Sequence, residues 1–225
     1  MVKKMYAEMT EKNVNPLAGR CPHECSYCYA LNDRKPNMRT KYGGGIRLDE
    51  KILLSNVYNG TRFLCSCNDL FSDSASYEMQ KRVVDWAGNQ TTVTWWLQTK
   101  NPKRMMRFWD ENPKPENIVI GATMESDIVP EGVSKAPAPE HRVVKGLDYV
   151  TIEPVLRFDH DRFLEMLNTM LPKWINIGAD SSPTSKRIFA EPTEAEVVAL
   201  VDALRRGNID VRVKPNLKRL APSLV

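Results

Sequence analysis

Three of the chain's five cysteines lie within one short stretch, CPHECSYCYA, which begins at Cys21. Cys21, Cys25 and Cys28 follow the spacing C-x3-C-x2-C. Thiols this close in sequence, in a chain with an odd cysteine count, indicate metal binding rather than a disulfide framework. The chemistry to explain is therefore a metal centre held by three thiolates.

Two kinds of metal centre are compatible with three clustered thiolates. Structural zinc takes four ligands, so the fourth would have to be His23, at an unusual spacing, or one of the later pair Cys65 and Cys67. A four-iron cluster normally takes four thiolates, and with three it keeps one iron open. The tight spacing favours the cluster because one loop must wrap adjacent corners. Zinc remains the alternative.

The elements that must position these cysteines follow a repeating pattern from Arg62 onward. Six short apolar runs, rich in Val, Ile, Leu and Trp, each precede a polar cluster, and helix-like stretches follow most of them. Continuous apolar runs that alternate with helices predict buried parallel strands in βαβ units. A further strand is expected before Cys21. Trp95 and Trp96, on adjacent strand positions, should point to opposite sides as core aromatics.

The predicted fold class is α/β, an incomplete (β/α)6-type TIM barrel with a parallel sheet. A complete eight-fold barrel typically needs about 250 residues, more than the 225 of this chain. A doubly wound sheet is the alternative fold. We predict helices in SYEMQKRVVDWAG, PKRMMRFWDEN, HDRFLEMLNTML and TEAEVVALVDALRRG, with Pro102 opening the second. PEGVSKAPAP, residues 130–139, is expected to be a flexible loop or lid.

Polar residues follow each predicted strand at the same point of the unit. Active sites of barrels lie at the carboxyl ends of the strands, so we expect these residues to surround one site. The clusters are Asn68-Asp69, Thr99-Lys100, Glu125, Glu153, Asp180-Ser181 and Lys214.

The bulk composition indicates one ordinary globular domain over residues 1–225. Hydrophobic residues make up 42% and charged residues 27% of the chain, and no apolar run is long enough to span a membrane. The first thirteen residues are charged and lack the apolar stretch of a signal peptide, so we expect a cytoplasmic protein without a membrane partner. The net charge of +4 only slightly favours a polyanionic partner.

With Tyr27 just before the third cysteine, the motif resembles the C-x3-C-x-Φ-C signature of the radical S-adenosylmethionine superfamily. The resemblance implies a [4Fe-4S] cluster on Cys21, Cys25 and Cys28, in a loop that follows the first barrel strand. It implies S-adenosylmethionine on the open iron and an external electron donor resembling flavodoxin or ferredoxin. Reductive cleavage in that family gives a 5′-deoxyadenosyl radical, which abstracts hydrogen from a substrate.

The cluster loop and the following run K-P-x-x-R-x-x-Y…L-D-E-x-x-L resemble the spore photoproduct lyases, which repair a thymine dimer in DNA. NDLF, LQTKNPKRM, IGATMES, TIEPVL and INIGADS resemble phage-associated radical proteins of unassigned function. The sequence departs from the lyases in having no cysteine shortly after the cluster loop that would match their hydrogen donor. The resemblance therefore implies a thymine-derived base in DNA as substrate, modified or isomerised, rather than dimer repair itself.

The resemblance also implies where S-adenosylmethionine binds. Its ammonium needs acceptors at the end of the second strand, where Asp69 could serve. The alternative role of Asp69 is that of a helix N-cap. Its carboxylate and ribose need partners at strands three to five, and its adenine should lie by the backbone of Tyr27. The predicted cofactor-binding residues are Tyr27, Asn68, Asp69, Thr99, Lys100 and Glu125.

Three further residues are predicted to act on the substrate. Glu153, in an otherwise apolar strand, needs a partner if buried, and is expected to bind substrate or S-adenosylmethionine or to pair with Lys214. Asp180, with Ser181 and Ser182, follows the sixth strand and is a candidate substrate contact, unless this is a capped turn. Cys67, which would share a strand face with Cys65, is a candidate hydrogen donor or a small core residue.

Basic residues gather after the cluster, after the third strand and after the last strand. If they project around the barrel mouth, they would hold DNA phosphates, with Arg39, Lys103 and Arg104 as the principal contacts. The alternative is that these basic residues only form solvent-exposed surfaces and bind no DNA. The other members are Lys35, Lys41, Arg107, Lys214, Lys218 and Arg219. Two other functions stay open: a radical enzyme acting on a small-molecule metabolite, and a non-catalytic metal-binding module.

Overall fold

The computed structural model describes residues 13–32, 35–181 and 189–225. The charged residues 1–12 and Ser182 lie outside this part of the chain. From residue 60 onward, strands and helices alternate along most of the described chain, as expected. None of these helices combines the length and apolar character that crossing a membrane requires.

Seven strands form one parallel sheet in the order β1-β4-β5-β6-β7-β8-β9. A short antiparallel pair, β2 and β3, lies beside the cysteine loop. The strands are β1 Asn13–Val14, β2 Leu17–Ala18, β3 Arg47–Leu48, β4 Gly60–Leu64, β5 Val93–Thr99, β6 Ile118–Thr123, β7 Tyr149–Ile152, β8 Trp174–Ile177 and β9 Asp210–Val213.

The strand order decides between the two predicted folds. From β4 onward each strand pairs with the next one along the chain, whereas a doubly wound sheet reverses its order at a switch point. In the described sheet β1 and β9 are the two edges, so the barrel is open. The predicted incomplete barrel is confirmed, as are its six main strands and the extra strand before Cys21.

All four predicted helices form, and capping residues define where they begin. The helices are α1 Tyr29–Asn32, α2 Pro36–Lys41, α3 Glu50–Leu53, α4 Tyr77–Gly88, α5 Pro102–Glu111, α6 His160–Met170 and α7 Glu194–Arg206. Pro102 lies in the first turn of α5, where its missing N–H costs nothing. The hydroxyl of Thr193 accepts from the backbone of Glu196, whose side chain accepts in return, which closes a capping box on α7.

The two faces of the sheet carry different residues. Outward-facing aliphatic residues such as Leu97, Ile120 and Ile175 pack with the helices in the main core. Trp95 joins this core and donates its indole N–H to the Ala87 carbonyl, while Trp96 belongs to a separate aromatic cluster. The predicted opposite orientation of the two tryptophans is therefore confirmed.

The interior of the barrel is arranged in layers. An aromatic layer of Phe63, Trp96, Tyr149 and Trp174 packs on one side of a polar layer of Gln98, Thr123, Thr151 and Asn176. Gly121 makes room for the aromatic layer, because a Cβ there would lie 2.4 Å from the Tyr149 ring. The strand ends beyond the polar layer carry the charged residues.

Residues 130–139, the predicted flexible loop or lid, are fastened to the cysteine loop. The backbone N–H of Ser26 donates to the Val133 carbonyl at 2.9 Å, and that of Lys135 donates to the His23 carbonyl at 2.7 Å. Val133 is fully buried and packs with Leu156 and Phe189. This segment therefore packs against the cysteine loop and is called the covering loop below.

Candidate functional site

A cavity of about 490 Å³ lies at the carboxyl ends of the strands. Its size falls in the range of pockets that hold a cofactor and a small substrate. Eleven of the residues predicted for the site line it: Cys21, Cys25, Tyr27, Cys28, Cys67, Asn68, Asp69, Thr99, Lys100, Glu153 and Asp180. Glu125, Arg39, Lys103 and Arg104 are not among the lining residues. The cavity has a cysteine wall, built from the cysteine loop and the ends of β4 to β6, and a far wall, built from the ends of β7 and β8 and held by residues that follow β9. Gln98, Thr123 and Thr151 form the floor of the cavity.

The three motif cysteines belong to the cysteine wall. Burial, with the nearby Asp69 carboxylate, raises the pKa of Cys21 to about 12, and burial also raises the pKa of Cys28. Cys25 lies 3.2 Å from the Ser134 hydroxyl of the covering loop. Buried thiolates need compensating positive charge, which iron supplies when it binds them. The donor set therefore fits an iron–sulfur cluster.

In the described part of the chain, no three His, Cys, Asp or Glu side chains converge as ligands of one metal ion. A cluster places a different requirement on its thiolates, because they bind separate irons at different corners. The three cysteines line one wall of the same cavity, so a single cluster there would be within reach of all three.

Asp69 joins the cysteine loop to two strand ends. Its Oδ1 accepts from the Phe71 backbone at 2.9 Å and from the Thr99 hydroxyl at 2.7 Å. Its Oδ2 accepts from the Lys100 backbone at 2.7 Å and bonds to His23 Nε2 at 2.9 Å. Burial alone would raise the pKa of Asp69, but these bonds lower it. Its oxygens are engaged by the protein, so Asp69 positions the wall rather than serving as a free acceptor for ammonium.

Asn68, beside Asp69, has an acceptor oxygen that could bind a ligand. Its amide N–H donates to the Gly19 carbonyl at 2.9 Å, which fixes the side chain. Its Oδ1 is buried and has no hydrogen-bond partner among the described residues. A buried acceptor without a donor is costly, so a cationic or N–H ligand at this position would satisfy it.

Glu125 forms the centre of a buried ion cluster behind the cavity wall. It accepts hydrogen bonds from the Tyr27 hydroxyl and the Lys100 ammonium at one oxygen and from Arg142 Nη1, at 2.5 Å, at the other. Burial by itself would raise the pKa of Glu125, but Lys100 and Arg142 hold it well below its usual range. Burial and the Glu125 charge raise the pKa of Tyr27.

These contacts change the role predicted for Glu125. The ribose contact expected from the sequence would need the carboxylate in the cavity, whereas Glu125 is fully buried behind it. It instead ties Tyr27, in the cysteine loop, to Lys100 at the end of β5. Arg142 also donates to the Pro137 carbonyl at 2.6 Å, which fastens the covering loop to the same cluster.

Sequence reasoning missed Arg142, which lies in the segment after the Pro-rich loop. Its side chain is almost wholly buried, and a fully buried arginine is rare unless it is paired. Nothing in its local sequence distinguishes it from the exposed basic residues. Its partners lie in the chain segments that the barrel brings to it.

Cys65 and Cys67 follow β4 rather than lying on it, so the prediction that they share a strand face is wrong. The strand ends at Leu64, and Cys65 has a left-handed backbone with φ 61°. Both thiols are buried and line the cavity. Cys67 Sγ lies 3.2 Å from the Tyr29 hydroxyl, while burial raises the pKa of Cys65.

The far wall centres on Glu153, which lies directly after β7. The Lys214 ammonium donates to Glu153 Oε2, as one of the sequence alternatives predicted, and Asn216 donates to Oε1 at 2.6 Å. The Asn216 amide also donates to the Ala179 carbonyl and the Ser181 hydroxyl. Sequence reasoning missed Asn216, because it lies beyond the last strand in a short 3-10 turn. Asp180, which is 6% exposed, also lines this wall.

Several of the basic residues proposed to surround the barrel mouth and hold DNA phosphates contact acidic side chains of the protein instead. Four of them form ion pairs: Lys41 with Asp49, Arg104 with Asp73, Lys214 with Glu153 and Arg219 with Glu191. Lys214 is moreover buried. Of the three principal contacts predicted for DNA, Arg39 on α2 and Lys103 on α5 are exposed. Arg104 instead anchors α5 through Asp73 and the Ala75 carbonyl.

The fold is similar to a solved structure of spore photoproduct lyase, a mutant with bound AdoMet and dinucleoside spore photoproduct. The match covers 93% of this chain and 74% of that chain, with a TM-score of 0.53 and 11% identity. At that identity the likeness shows the fold alone, a partial TIM barrel. No curated protein matches the sequence. A family model described as "Protein of unknown function (DUF5131)" matches residues 5–194, so the chain belongs to the DUF5131 family.

Proposed function

We propose that this protein is a radical S-adenosylmethionine enzyme whose substrate is a thymine-derived base in DNA, which it modifies or isomerises. The observation that carries the proposal is the position of Cys21, Cys25 and Cys28, which line the same cavity as the polar strand ends of an open barrel. A similar fold in an enzyme solved with AdoMet supports it. The reaction would take place in the cytoplasm with a flavodoxin- or ferredoxin-like electron donor.

The residues of the cysteine wall have distinct tasks in this proposal. Cys21, Cys25 and Cys28 would hold a [4Fe-4S] cluster, which together with S-adenosylmethionine supplies a 5′-deoxyadenosyl radical when reduced. Asn68 Oδ1, which has no partner among the described residues, accepts from the S-adenosylmethionine ammonium. Thr99 and Lys100 line the cavity as partners for its carboxylate and ribose.

The remaining residues of this wall position those groups. Asp69 fixes the ends of β4 and β5 against His23, and the Glu125 cluster fixes Tyr27 beside the cysteines. Cys67 is the candidate donor of a hydrogen atom to a product radical. Its thiol lines the cavity and contacts the Tyr29 hydroxyl.

Cluster assembly and cofactor cleavage test the proposal directly. Anaerobically reconstituted protein should hold close to four irons per chain and form 5′-deoxyadenosine from S-adenosylmethionine and dithionite. Replacing Cys21, Cys25 or Cys28 with alanine should abolish both properties. Cys65→Ala is the matched control, since it removes another buried cavity thiol and should keep the iron and its absorbance. Stoichiometric zinc with no cluster, in anaerobically prepared protein, would contradict the proposal and favour a non-catalytic metal-binding module.

Binding of DNA is tested separately by its salt dependence. Each phosphate contact steepens the plot of log K against log salt by about 0.9 for duplex DNA. Replacing the exposed Arg39 and Lys103 together should flatten the slope by up to about 1.8 and leave uncoupled S-adenosylmethionine cleavage unchanged. Lys51→Ala, an exposed change on α3 that is not one of these cations, is the comparison and should leave the slope unchanged. Absence of salt-dependent binding, with turnover of a free metabolite, would favour a small-molecule substrate.

A further inference from the structure

We infer that the far wall and the floor of the cavity together form a binding subsite for the N–H and C=O edge of a cyclic imide or lactam, the edge that an oxo-pyrimidine ring presents. The subsite consists of Glu153, held by Lys214 and Asn216, with Gln98 and Thr123. The inference rests on the proposed function for the reaction that follows binding. The binding itself can be measured without that reaction.

Glu153 supplies the acceptor. A carboxylate has about four positions for hydrogen bonds, and in the described part of the chain Lys214 and Asn216 fill one on each oxygen. The side chain remains 17% exposed and lines the cavity, unlike Glu125, which is completely buried. Glu153 is therefore held in one orientation while part of its accepting capacity faces a ligand. The Glu153 carboxylate can therefore accept a hydrogen bond from a ring N–H of the ligand.

Gln98 and Thr123 supply the donors at the floor. Gln98 Nε2 donates to the Thr123 hydroxyl oxygen at 2.7 Å, and Gln98 Oε1 accepts from the Thr151 hydroxyl at 2.9 Å. An amide nitrogen has two hydrogens and a hydroxyl that accepts still has one to donate, so both groups can serve a carbonyl of the ligand. Both side chains line the cavity.

The acceptor and the donors lie in adjacent strands. Glu153 is two residues beyond Thr151 in the chain, and Thr151 pairs in register with Thr123. Phe63, from the aromatic layer, lines the same cavity and offers an apolar surface to a flat ring. One N–H and an adjacent C=O on a planar ring match this combination of groups.

Gly178 keeps the acceptor in place. A Cβ at this position would lie 2.8 Å from Asn216 Oδ1, 3.0 Å from Glu153 Oε1 and 3.0 Å from Lys214 Cδ. Any larger residue would therefore displace the groups that hold the carboxylate. A substitution at Gly178 would therefore disturb the subsite without removing a charge.

The experiment measures binding of thymidine 5′-monophosphate by equilibrium dialysis. Anaerobically reconstituted protein is used with S-adenosylmethionine and without reductant, so that no turnover occurs. The matched probe is N3-methylthymidine 5′-monophosphate, which has no ring N–H. We expect the wild type to bind the methylated probe at least about tenfold more weakly, because a hydrogen bond to a charged group is lost.

Two variants and a control connect this preference to the far wall. Glu153→Gln should remove most of the preference for the unmethylated probe. The glutamine has a single side-chain oxygen, and Lys214 and Asn216 compete with the ring N–H of the probe for it. Gly178→Ala should weaken binding of thymidine 5′-monophosphate. Glu191→Gln, which disturbs a paired Glu–Arg contact outside the cavity lining, should keep wild-type binding.

The possible results separate the subsite from the reaction. Equal binding of the two probes by the wild type, no binding at millimolar concentration, or an unchanged preference in Glu153→Gln would overturn the subsite. A preserved preference in a protein that forms no 5′-deoxyadenosine would support the subsite and contradict the proposed reaction.

Discussion

The two walls of the cavity use carboxylates in opposite ways. On the cysteine wall, Asp69 and Glu125 are buried, and their oxygens are engaged by the protein. On the far wall, Glu153 is held by two donors and remains partly exposed to the cavity. The difference indicates that the first wall is built to fix its shape, whereas the second keeps hydrogen-bonding capacity for a ligand.

The contacts of the cysteine wall also join more separate segments of the chain. Tyr27 and Glu125 are 98 residues apart, His23 and Asp69 are 46 residues apart, and the same contacts include Lys100 and Arg142. Preorganised groups of this kind keep a site in shape before its ligand arrives. Removing one of them should therefore affect stability more than an equivalent change on the far wall.

The largest effect should follow from Glu125→Ala. It leaves Arg142 buried without its carboxylate, and breaking a buried ion pair typically costs about 3–5 kcal/mol. Urea denaturation of the protein measures the loss. Glu50→Ala, which breaks an exposed two-bond contact with Arg82, is the matched control and should change stability little. Equal losses in the two variants would show that the buried cluster is not special.

A smaller loss is expected from Asp69→Asn. The amide keeps one accepting oxygen, but its nitrogen faces donors from β5 and the cysteine loop, so about 1–3 kcal/mol should be lost. The exposed Asp73→Asn is the comparison. Urea denaturation midpoints of both variants measure the loss of stability. An unchanged stability of Asp69→Asn would mean that the donors find other partners.

Acidification should remove the stability that Glu125 contributes to the cysteine wall. Lys100 and Arg142 lower the folded pKa of Glu125 below its ordinary 4.5. Its contribution to stability is therefore present above pH 4.5 and is lost as the pH falls towards the folded pKa. Glu125→Gln should be less stable at neutral pH and lose less stability on acidification. Urea midpoints measured across this range test the sign, and parallel curves would refute it.

The smallest effect should come from Glu153→Gln, at about 1–2 kcal/mol. The pair with Lys214 is partly exposed, and the Asn216 amide, whose Oδ1 has no partner among the described residues, can turn to accept from the new amide. Glu191→Gln provides a second partly buried Glu–cation pair for comparison. A loss as large as that of Glu125→Ala would erase the distinction between the walls.

Local patterns determined the order of elements and singled out the three motif cysteines. The apolar runs predicted six strands and the four long helices, Pro102 predicted a helix start, and the three cysteines drew attention to their loop. These properties depend on neighbouring residues, because strand and helix periodicity, capping and motif spacing act over a few positions. The sequence also predicted that polar strand ends would meet, since parallel strands present them at one edge.

Tertiary structure decided which of these residues face the cavity and which are held behind it. Glu125 and Glu153 both follow strands and look equivalent in sequence, yet Arg142 and Tyr27 bury the first while Asn216 and Lys214 leave the second accessible. Their partners lie 17 to 98 residues away in the chain. Such pairs form only when the curved sheet brings separate loops together, and no local pattern specifies them.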